Sequence, residues 1–518
     1  MIINPSKSNN LLILIILVLE VILAIFVFLY PVLKPIPVGT DAATYLNDAK
    51  WITNNEVLPA PKQATYHGYL AYPSPFTSLI IVLLNKFTGL NLVYPLFSIY
   101  QLFLIFLIIL SSYSVGKIYN NLMSLLLPIA LLGSFAIIRL FIGSTVSNLL
   151  AFVYINIIYY LVYQYLITKK NRILILIILC LIDIFFTHNY LTAPLFIPLF
   201  ILYTVFIFLV DKQLKHYLFI NIKRINRYIK TFVLLIFTGL LLSFIFFYKS
   251  VFYEAISAFW KTSVEDKFRG AIPASQYGIY LGSFVFLIAI AGLIFYIIRF
   301  KKNILSYKIL PFLWIIFLLG MLQTYRLGFD FYYERIIFLA AIFIPFFAAY
   351  LINFAFEKTP TSRRYFILIL ALFFVLTITS GLNKVWALYD SSNAVSKNQI
   401  MALNLLKDVS QNNDLVYSNV NAVSQTAHDI MISGRNIIYL STEIVFCKEN
   451  TACLAFNEPN DKLSIDYFKK NNVKYFLFMM PSYEGNERLN ILIKKYESSN
   501  YYNDLVNLSD VMLFKLAN

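Results

Sequence analysis

The chain has 518 residues, 60% hydrophobic and only 13% charged, with a formal net charge of +16 and a mean hydropathy of +0.72. So little charge over so long a chain excludes a soluble globular protein, and continuous rather than alternating apolar runs exclude a membrane β-barrel. The basic excess lies in short loops between apolar runs and builds no basic-aromatic groove, which excludes nucleic acid as a partner.

The first apolar run, roughly residues 11–30, is too long for the apolar part of a cleaved leader and lacks a small-residue cleavage site, so it reads as a spanning helix. Glu20 falls in its middle, where a carboxylate is costly unless partnered or protonated. Pro31, Pro35 and Pro37 end this helix, because proline lacks a donor and restricts the residue before it. The stretch Val38-Gly39-Thr40-Asp41-Ala42-Ala43-Thr44-Tyr45-Leu46-Asn47-Asp48 follows at once, placing a carboxylate within a few residues of the membrane exit. Thr40 or Asp41 is suited to cap a short new helix, and Asp41 and Asp48, seven apart, then share a face of it. Asp41 as a helix cap and nothing more is the plain alternative. The loop continues through His67 and Tyr69 to about Tyr72, and a long ordered loop on a membrane protein usually serves function. Residues from roughly 73 to 88 are apolar but too short to cross, so they predict an interfacial or re-entrant helix at the outer surface.

Further spans are predicted over roughly 92–115, 121–141, 144–166, 173–187, 190–210, 231–250, 277–298, 309–325, 335–353 and 365–382, about eleven in all with the first. With the N-terminus inside, the loops on that side hold 18 Lys and Arg against two acids, Asp211 and Glu357. That asymmetry equals the whole net charge and predicts a cytoplasmic N-terminus with the tail outside; the basic loops face anionic lipid headgroups. Arg139 and Lys249 fall at outer ends of spans, where long side chains snorkel. Asp183 lies one turn from the outer end of its helix, ahead of Phe186-Thr187-His188-Asn189. The outer segment Arg326-Leu327-Gly328-Phe329-Asp330-Phe331-Tyr332-Tyr333-Glu334-Arg335 joins two spans. The chemically capable residues thus collect on one side.

Beyond roughly residue 382 the apolar density falls, which divides the chain into a membrane domain (about 1–382, with an outer loop 31–91) and a soluble α/β domain (about 383–518). Helices are predicted over roughly 399–408, 421–432, 463–471 and 486–499, and strands over roughly 414–418, 436–440, 473–480 and 511–516. No glycine-rich phosphate loop or nucleophile elbow occurs there. Of the three cysteines, Cys180 lies in a span, and Cys447 and Cys453 lie in the tail, where an oxidising compartment would allow a disulfide. No Cys/His spacing suits zinc, and a metal site is not predicted from it.

This arrangement resembles the GT-C class of integral membrane glycosyltransferases, which use polyprenyl-phosphate-linked donors. The residues that carry the resemblance are Asp41 in its loop after the first span, Tyr72-Pro73-Ser74-Pro75-Phe76 leading to Gly89, and Thr187-His188-Asn189 at an outer edge. Arg335-Ile336-Ile337-Phe338 through Tyr350 resembles the arginine-led late helix, and the tail with Ser433-Gly434-Arg435 is similar to tails in the class. Two departures narrow it. The WWD-type motif of oligosaccharyltransferases is absent, since Trp51, Trp260, Trp314 and Trp386 are isolated, and adjacent paired acids are missing from the first loop. A transferase of one sugar, hexosyl or pentosyl, fits better than one moving a whole glycan to asparagine.

The resemblance implies an inverting reaction at the outer face, with the isoprenoid tail of the donor between helices and a glycan, lipid or protein as acceptor. Asp41 would take the proton of the attacking hydroxyl, or ligate a divalent metal in the base's place, with Asp48 second. Arg326, Arg335, Arg139 and Lys249 would offset the departing lipid phosphate. His67, Tyr69, Asp183, His188 and Asn189 would bind substrate. A transporter or flippase of lipid-linked glycans is the alternative, but only Glu20 lies deep and no internal repeat is evident. A non-catalytic membrane scaffold would need only the tail.

Overall fold

The structure, a computed structural model, describes residues 18, 41–55, 75–92, 94–132, 134–142, 146–168, 170–187, 196–197, 199–201, 203–204, 272–281, 283–300, 309–327, 333–358, 395–419, 432–433, 435–440, 450–479 and 487–517. The expected spans at 11–30 (Val18 apart), 231–250 and 365–382, and most of 190–210, lie outside the described residues.

The helix expected after the first prolines is α1 (Asp41–Asn55), which contains neither proline nor glycine. The short apolar helix of the outer loop is α2 (Pro75–Thr88). Pro75 takes the first helical position, where a missing N–H costs nothing. Gly89 ends it with φ +68°, its N–H bonding the Asn85 carbonyl at 2.9 Å, a left-handed stop that glycine adopts without strain.

Next come α3 (Tyr94–Lys117), α4 (Asn121–Leu132), α5 (Phe135–Ile142), α6 (Val146–Thr168) and α7 (Asn171–Thr187). The expected span at 121–141 is therefore two helices. Ser134 turns the chain between them, its N–H bonding Leu131 at 2.9 Å while its carbonyl accepts from Ile137 at 3.0 Å. Two residues join α6 to α7, so the pair forms a helical hairpin.

Then follow α8 (Tyr277–Leu281), α9 (Ser283–Phe300), α10 (Ile309–Leu322), α11 (Tyr333–Ala340) and α12 (Ile344–Lys358). The last two replace one expected continuous helix. Pro345 has no N–H to offer the Ala341 carbonyl, and the chain tightens into bonds from Ala341, Ile342 and Phe343 to Phe338, Leu339 and Ala340 at 3.1, 3.3 and 3.2 Å. The buried Trp314 indole of α10 reinforces the break by donating to the Leu339 carbonyl at 3.2 Å. Where α9 meets α12, a Cβ on Gly292 would run into the Phe347 carbonyl, so this close approach needs glycine. Among the described residues, Tyr94–Lys117, Val146–Thr168 and Ile336–Ala355 are long and apolar enough to cross a membrane.

The tail holds α13 (Lys397–Val409), β1 (Leu415–Ser418), β2 (Asn436–Tyr439), α14 (Thr451–Asn457), α15 (Lys462–Lys470), β3 (Val473–Met479), α16 (Glu487–Glu497), β4 (Tyr502–Leu508) and β5 (Val511–Leu516). Its five-stranded sheet runs β2-β1-β3-β5-β4. β1 is parallel to β2 and β3, whereas β5 pairs antiparallel with β3 (Phe476 opposite Phe514) and with β4. Alternate residues of β3 serve two cores. Phe476 and Phe478 pack with Phe456 of α14, Phe468 of α15 and Tyr496 of α16, while Tyr475 and Leu477 join Leu403 and Leu406 of α13. α13 opens on a reciprocal cap: Ser396 Oγ accepts from Gln399 N at 3.0 Å and Gln399 Oε1 accepts from Ser396 N at 2.9 Å.

Two elements of the tail go beyond the sequence reading, α14 and β4. β4 is an edge strand with exposed Asn503, Asp504 and Asn507, so it lacks the alternation that marks a half-buried strand. Cys453 is disulfide-bonded and Cys180 is free; Cys447, like most of the helix expected at 421–432, lies outside the described residues.

The chain divides into two compact units, one of Met1–Pro37, Ser74–Ile80 and Pro95–Ser391, the other of Val38–Pro73, Ile81–Tyr94 and Ser392–Asn518. Thus α1 belongs to the same unit as the α/β tail.

Candidate active site

In the unit that contains the tail, α1 starts at Asp41 and carries Asp48 two turns later on the same face. The helix is buried almost all round: Ala42, Ala43, Leu46 and Ala49 expose nothing, and Tyr45, Asn47 and Ile52 almost nothing. Asp48 is 2% exposed, and its Oδ2 has no hydrogen-bond partner among the described residues. Burial raises this carboxyl well above its ordinary range, so it holds a proton at higher pH than a solvated aspartate. Lys50, half-buried on the same helix, is pushed below its ordinary range by burial and by the nearby charge of Lys407 on α13. The side chain of Asp41 lies outside what is described.

In the membrane unit the expected cations fall into two places. Arg139 is half-buried on α5 with its guanidinium 5.6 Å from the centre of the Phe338 ring of α11, a cation–π contact. Phe338 stands one helical turn after Arg335 in the same helix, so the fold brings the backbone positions of these two arginines together. Arg326 is exposed in the short turn Thr324–Leu327. Asp183 of α7 is half-buried and accepts a hydrogen bond from the Tyr154 hydroxyl of α6. His67, Tyr69, His188, Asn189 and Lys249, together with Glu20 and the side chain of Arg335, lie outside the described residues.

Five buried polar side chains at helix ends of this unit have no hydrogen-bond partner among the described residues. They are Thr77 and Ser78 in the first turn of α2, Ser134 ahead of α5, Asn148 in the first turn of α6, and Thr187 closing α7. Gln101 of α3 bonds the Phe141 carbonyl near the end of α5 at 3.0 Å. The sequence reading passed over Asn148 because it opens a largely apolar helix. A buried amide in such a helix is itself a signal, since polar groups there need a partner or a ligand.

The tail motif ending in Arg435 has a structural role. Its Nε donates to Ser410 Oγ at 2.6 Å, one terminal nitrogen to Asn412 Oδ1 at 2.6 Å, and the other to the Lys407 and Ser410 carbonyls at 2.6 and 2.7 Å. A guanidinium is thereby fixed on the carbonyl end of α13, where positive charge is favoured. Nearby, Asp414 accepts from Gln411 N at 2.8 Å and pairs with Lys474 at 2.8 Å.

No protein-family model matches the chain, and neither does any curated protein. Solved structures do match. One is ArnT from Cupriavidus metallidurans bound to undecaprenyl phosphate, with TM-score 0.59 and 10% identity over 99% of this chain and 98% of that one. Another is the Archaeoglobus fulgidus oligosaccharyltransferase tethered to an acceptor peptide containing the NVT sequon, with TM-score 0.57 and 12% identity over 92% of this chain and 70% of that one. The fold is GT-C. The GT-C fold takes in both the helical part and the α/β tail, since the match to ArnT runs along nearly the whole of each chain. Within the GT-C fold, the described residues bring together no group of three or more His, Cys, Asp or Glu side chains.

Proposed function

We propose that the protein is a membrane glycosyltransferase that moves one sugar from a polyprenyl-phosphate-linked donor to a hydroxyl of a glycan, lipid or protein acceptor at the outer face of the membrane. The observation that carries this is the match of the GT-C fold along 99% of the chain to an enzyme whose structure holds undecaprenyl phosphate. The formation of α1 from Asp41 onward supports Asp41 as the general base. Its carboxylate takes the proton of the acceptor hydroxyl as that oxygen attacks the anomeric carbon. The bond from the anomeric carbon to the phosphate oxygen breaks on the opposite face, its electron pair leaves with the polyprenyl phosphate, and the centre is inverted. Arg335 and Arg139 offset the charge that develops on the phosphate; the contact of Arg139 with Phe338, one helical turn after Arg335 in sequence, supports that pairing. Arg326 and Lys249 serve as the second cations, and His67, Tyr69, Asp183, His188 and Asn189 are assigned to substrate binding.

The orientation is N-terminus in and tail out. The 18-to-two excess of basic over acidic residues in alternate loops supports it, as does the disulfide at Cys453, a bond suited to an oxidising compartment.

Transfer from labelled polyprenyl-phosphate sugars by the protein in proteoliposomes tests the reading. Asp41→Asn keeps an oxygen able to cap α1 but no base, so the protein stays folded while transfer falls by ~10²–10⁴-fold. Near-full transfer by Asp41→Asn moves the base elsewhere. A wild-type protein that transfers from no such donor removes the transferase reading.

A further inference from the structure

α2 is buried at its start and bare at its end. Thr77, Ser78, Ile81 and Val82 are between 0% and 7% exposed, whereas Leu83 is 52% and Phe87 85% exposed. Leu83 and Phe87, four apart, share a face of the helix, and the exposed Lys86 lies one turn from Leu83. The end of the helix is fixed rather than frayed. Gly89 stops it with φ +68°, and Asn85 Nδ2 donates to the carbonyl of Leu90, itself exposed, at 2.5 Å. The Thr88 hydroxyl donates to the Leu84 carbonyl at 2.6 Å and accepts from Leu90 N at 3.3 Å. These bonds hold the last turn, with its two bare apolar side chains and its ammonium, in one shape.

Chain length says what lies within reach of this turn. Tyr94, the first residue of α3, follows Leu90 by four residues, so at most about 14 Å separates them. α3 is long and apolar enough to cross a membrane. Its exposed Ile99, Phe103, Phe106, Leu110 and Tyr113, spaced by fours and threes, form the stripe that such a helix turns to lipid. The last turn of α2 is thus tethered to the level where headgroups meet water. At that level an apolar side chain enters the acyl layer while a lysine stays among lipid phosphates. We propose that the last turn of α2 is a lipid-binding hook, with Leu83 and Phe87 inserted in the leaflet at the start of α3 and Lys86 on its anionic headgroups. The sequence reading laid the whole of α2 on the membrane surface; burial of its first half confines the contact to this turn. The end of α2 belongs to the same unit as α1 and the tail, so the hook fastens to the bilayer the unit in which α1 begins at Asp41.

The test uses the full-length protein, with Cys180 replaced by Ser, in nanodiscs of phosphatidylcholine and phosphatidylglycerol. A nitroxide is attached at Leu83→Cys, at Phe87→Cys or, as a water-facing reference, at Asn503→Cys on β4. All three positions are exposed, so labelling leaves the packing intact. Collisions with oxygen, which concentrates among acyl chains, are compared with collisions with a water-soluble nickel chelate. Oxygen should dominate at 83 and 87, and the chelate at 503. A label at 87 as open to the chelate as the one at 503 overturns the hook. So does a label at 87 shielded from both reagents, which would mean a protein cover such as a second copy of the chain. Lys86→Glu should shift the label at 87 toward the chelate in discs that contain phosphatidylglycerol and leave it unmoved in discs of phosphatidylcholine alone. The same ratio with and without the substitution in both kinds of disc overturns the headgroup contact. No sugar transfer enters the readout, so the hook stands or falls apart from the transferase reading.

Discussion

Asp48 offers a perturbation whose sign can be worked from its surroundings. Asn at this position keeps the shape and volume of the side chain and removes its titration. The carboxyl is 2% exposed, its Oδ2 has no hydrogen-bond partner among the described residues, and burial raises its pKa in the folded state. The unfolded chain releases that proton near pH ~3.9. Between the unfolded and folded values the folded protein binds more protons, so wild-type stability is greatest below about pH 4 and falls as pH rises toward the folded value. The loss is about 1.4 kcal/mol for each pH unit over which the folded carboxyl keeps a proton that the unfolded one has lost. Asp48→Asn is free of that loss. Thermal unfolding in nanodiscs should therefore show wild type and variant alike near pH 4 and the variant more stable at pH 8. The same variant should transfer sugar more slowly, because a carboxyl kept at a cost in stability is kept for chemistry. A variant less stable at pH 8, or displaced equally at both pH values, would show that Asp48 has a stabilising partner and refute the reasoning.

Other outcomes follow from single contacts. Arg335→Lys should raise the KM for the lipid-linked donor, because lysine cannot reproduce the forked geometry of a guanidinium on phosphate; an unchanged KM reassigns Arg335 to packing or membrane anchoring. Arg435→Ala removes four hydrogen bonds and leaves the last carbonyls of α13 uncapped. It should destabilise the tail by about 1.5–3 kcal/mol, read as cleavage within the tail at lower temperature in limited proteolysis of the whole protein. Gly292→Ala drives a Cβ into the Phe347 carbonyl and should cost about 1–3 kcal/mol through the forced parting of α9 and α12. Gly320→Ala, where nothing lies within 4 Å, should cost nothing in the same melting assay.

What the chain declares by itself is what depends on neighbours in sequence. Apolar runs and the prolines ahead of α1 act over a few residues, and where the described residues cover the elements they predict, helices are there. The same holds for β1, β2, β3 and β5, whose apolar residues mark them as strands. The short-range view also had limits: it smoothed over the breaks at Ser134 and Pro345 because apolar composition continues across them, and it passed over β4 because an edge strand needs no apolar alternation. The character of the site is another matter. Nothing local to Asp48 says that it will be buried with no hydrogen-bond partner for Oδ2 among the described residues, nor to Asn148 and Thr187 that they will share one end of a hairpin. Tyr154 meets Asp183, and Arg139 meets Phe338, across long stretches of sequence. Burial and electrostatics are sums over everything that packs nearby, and only the tertiary structure decides what that is.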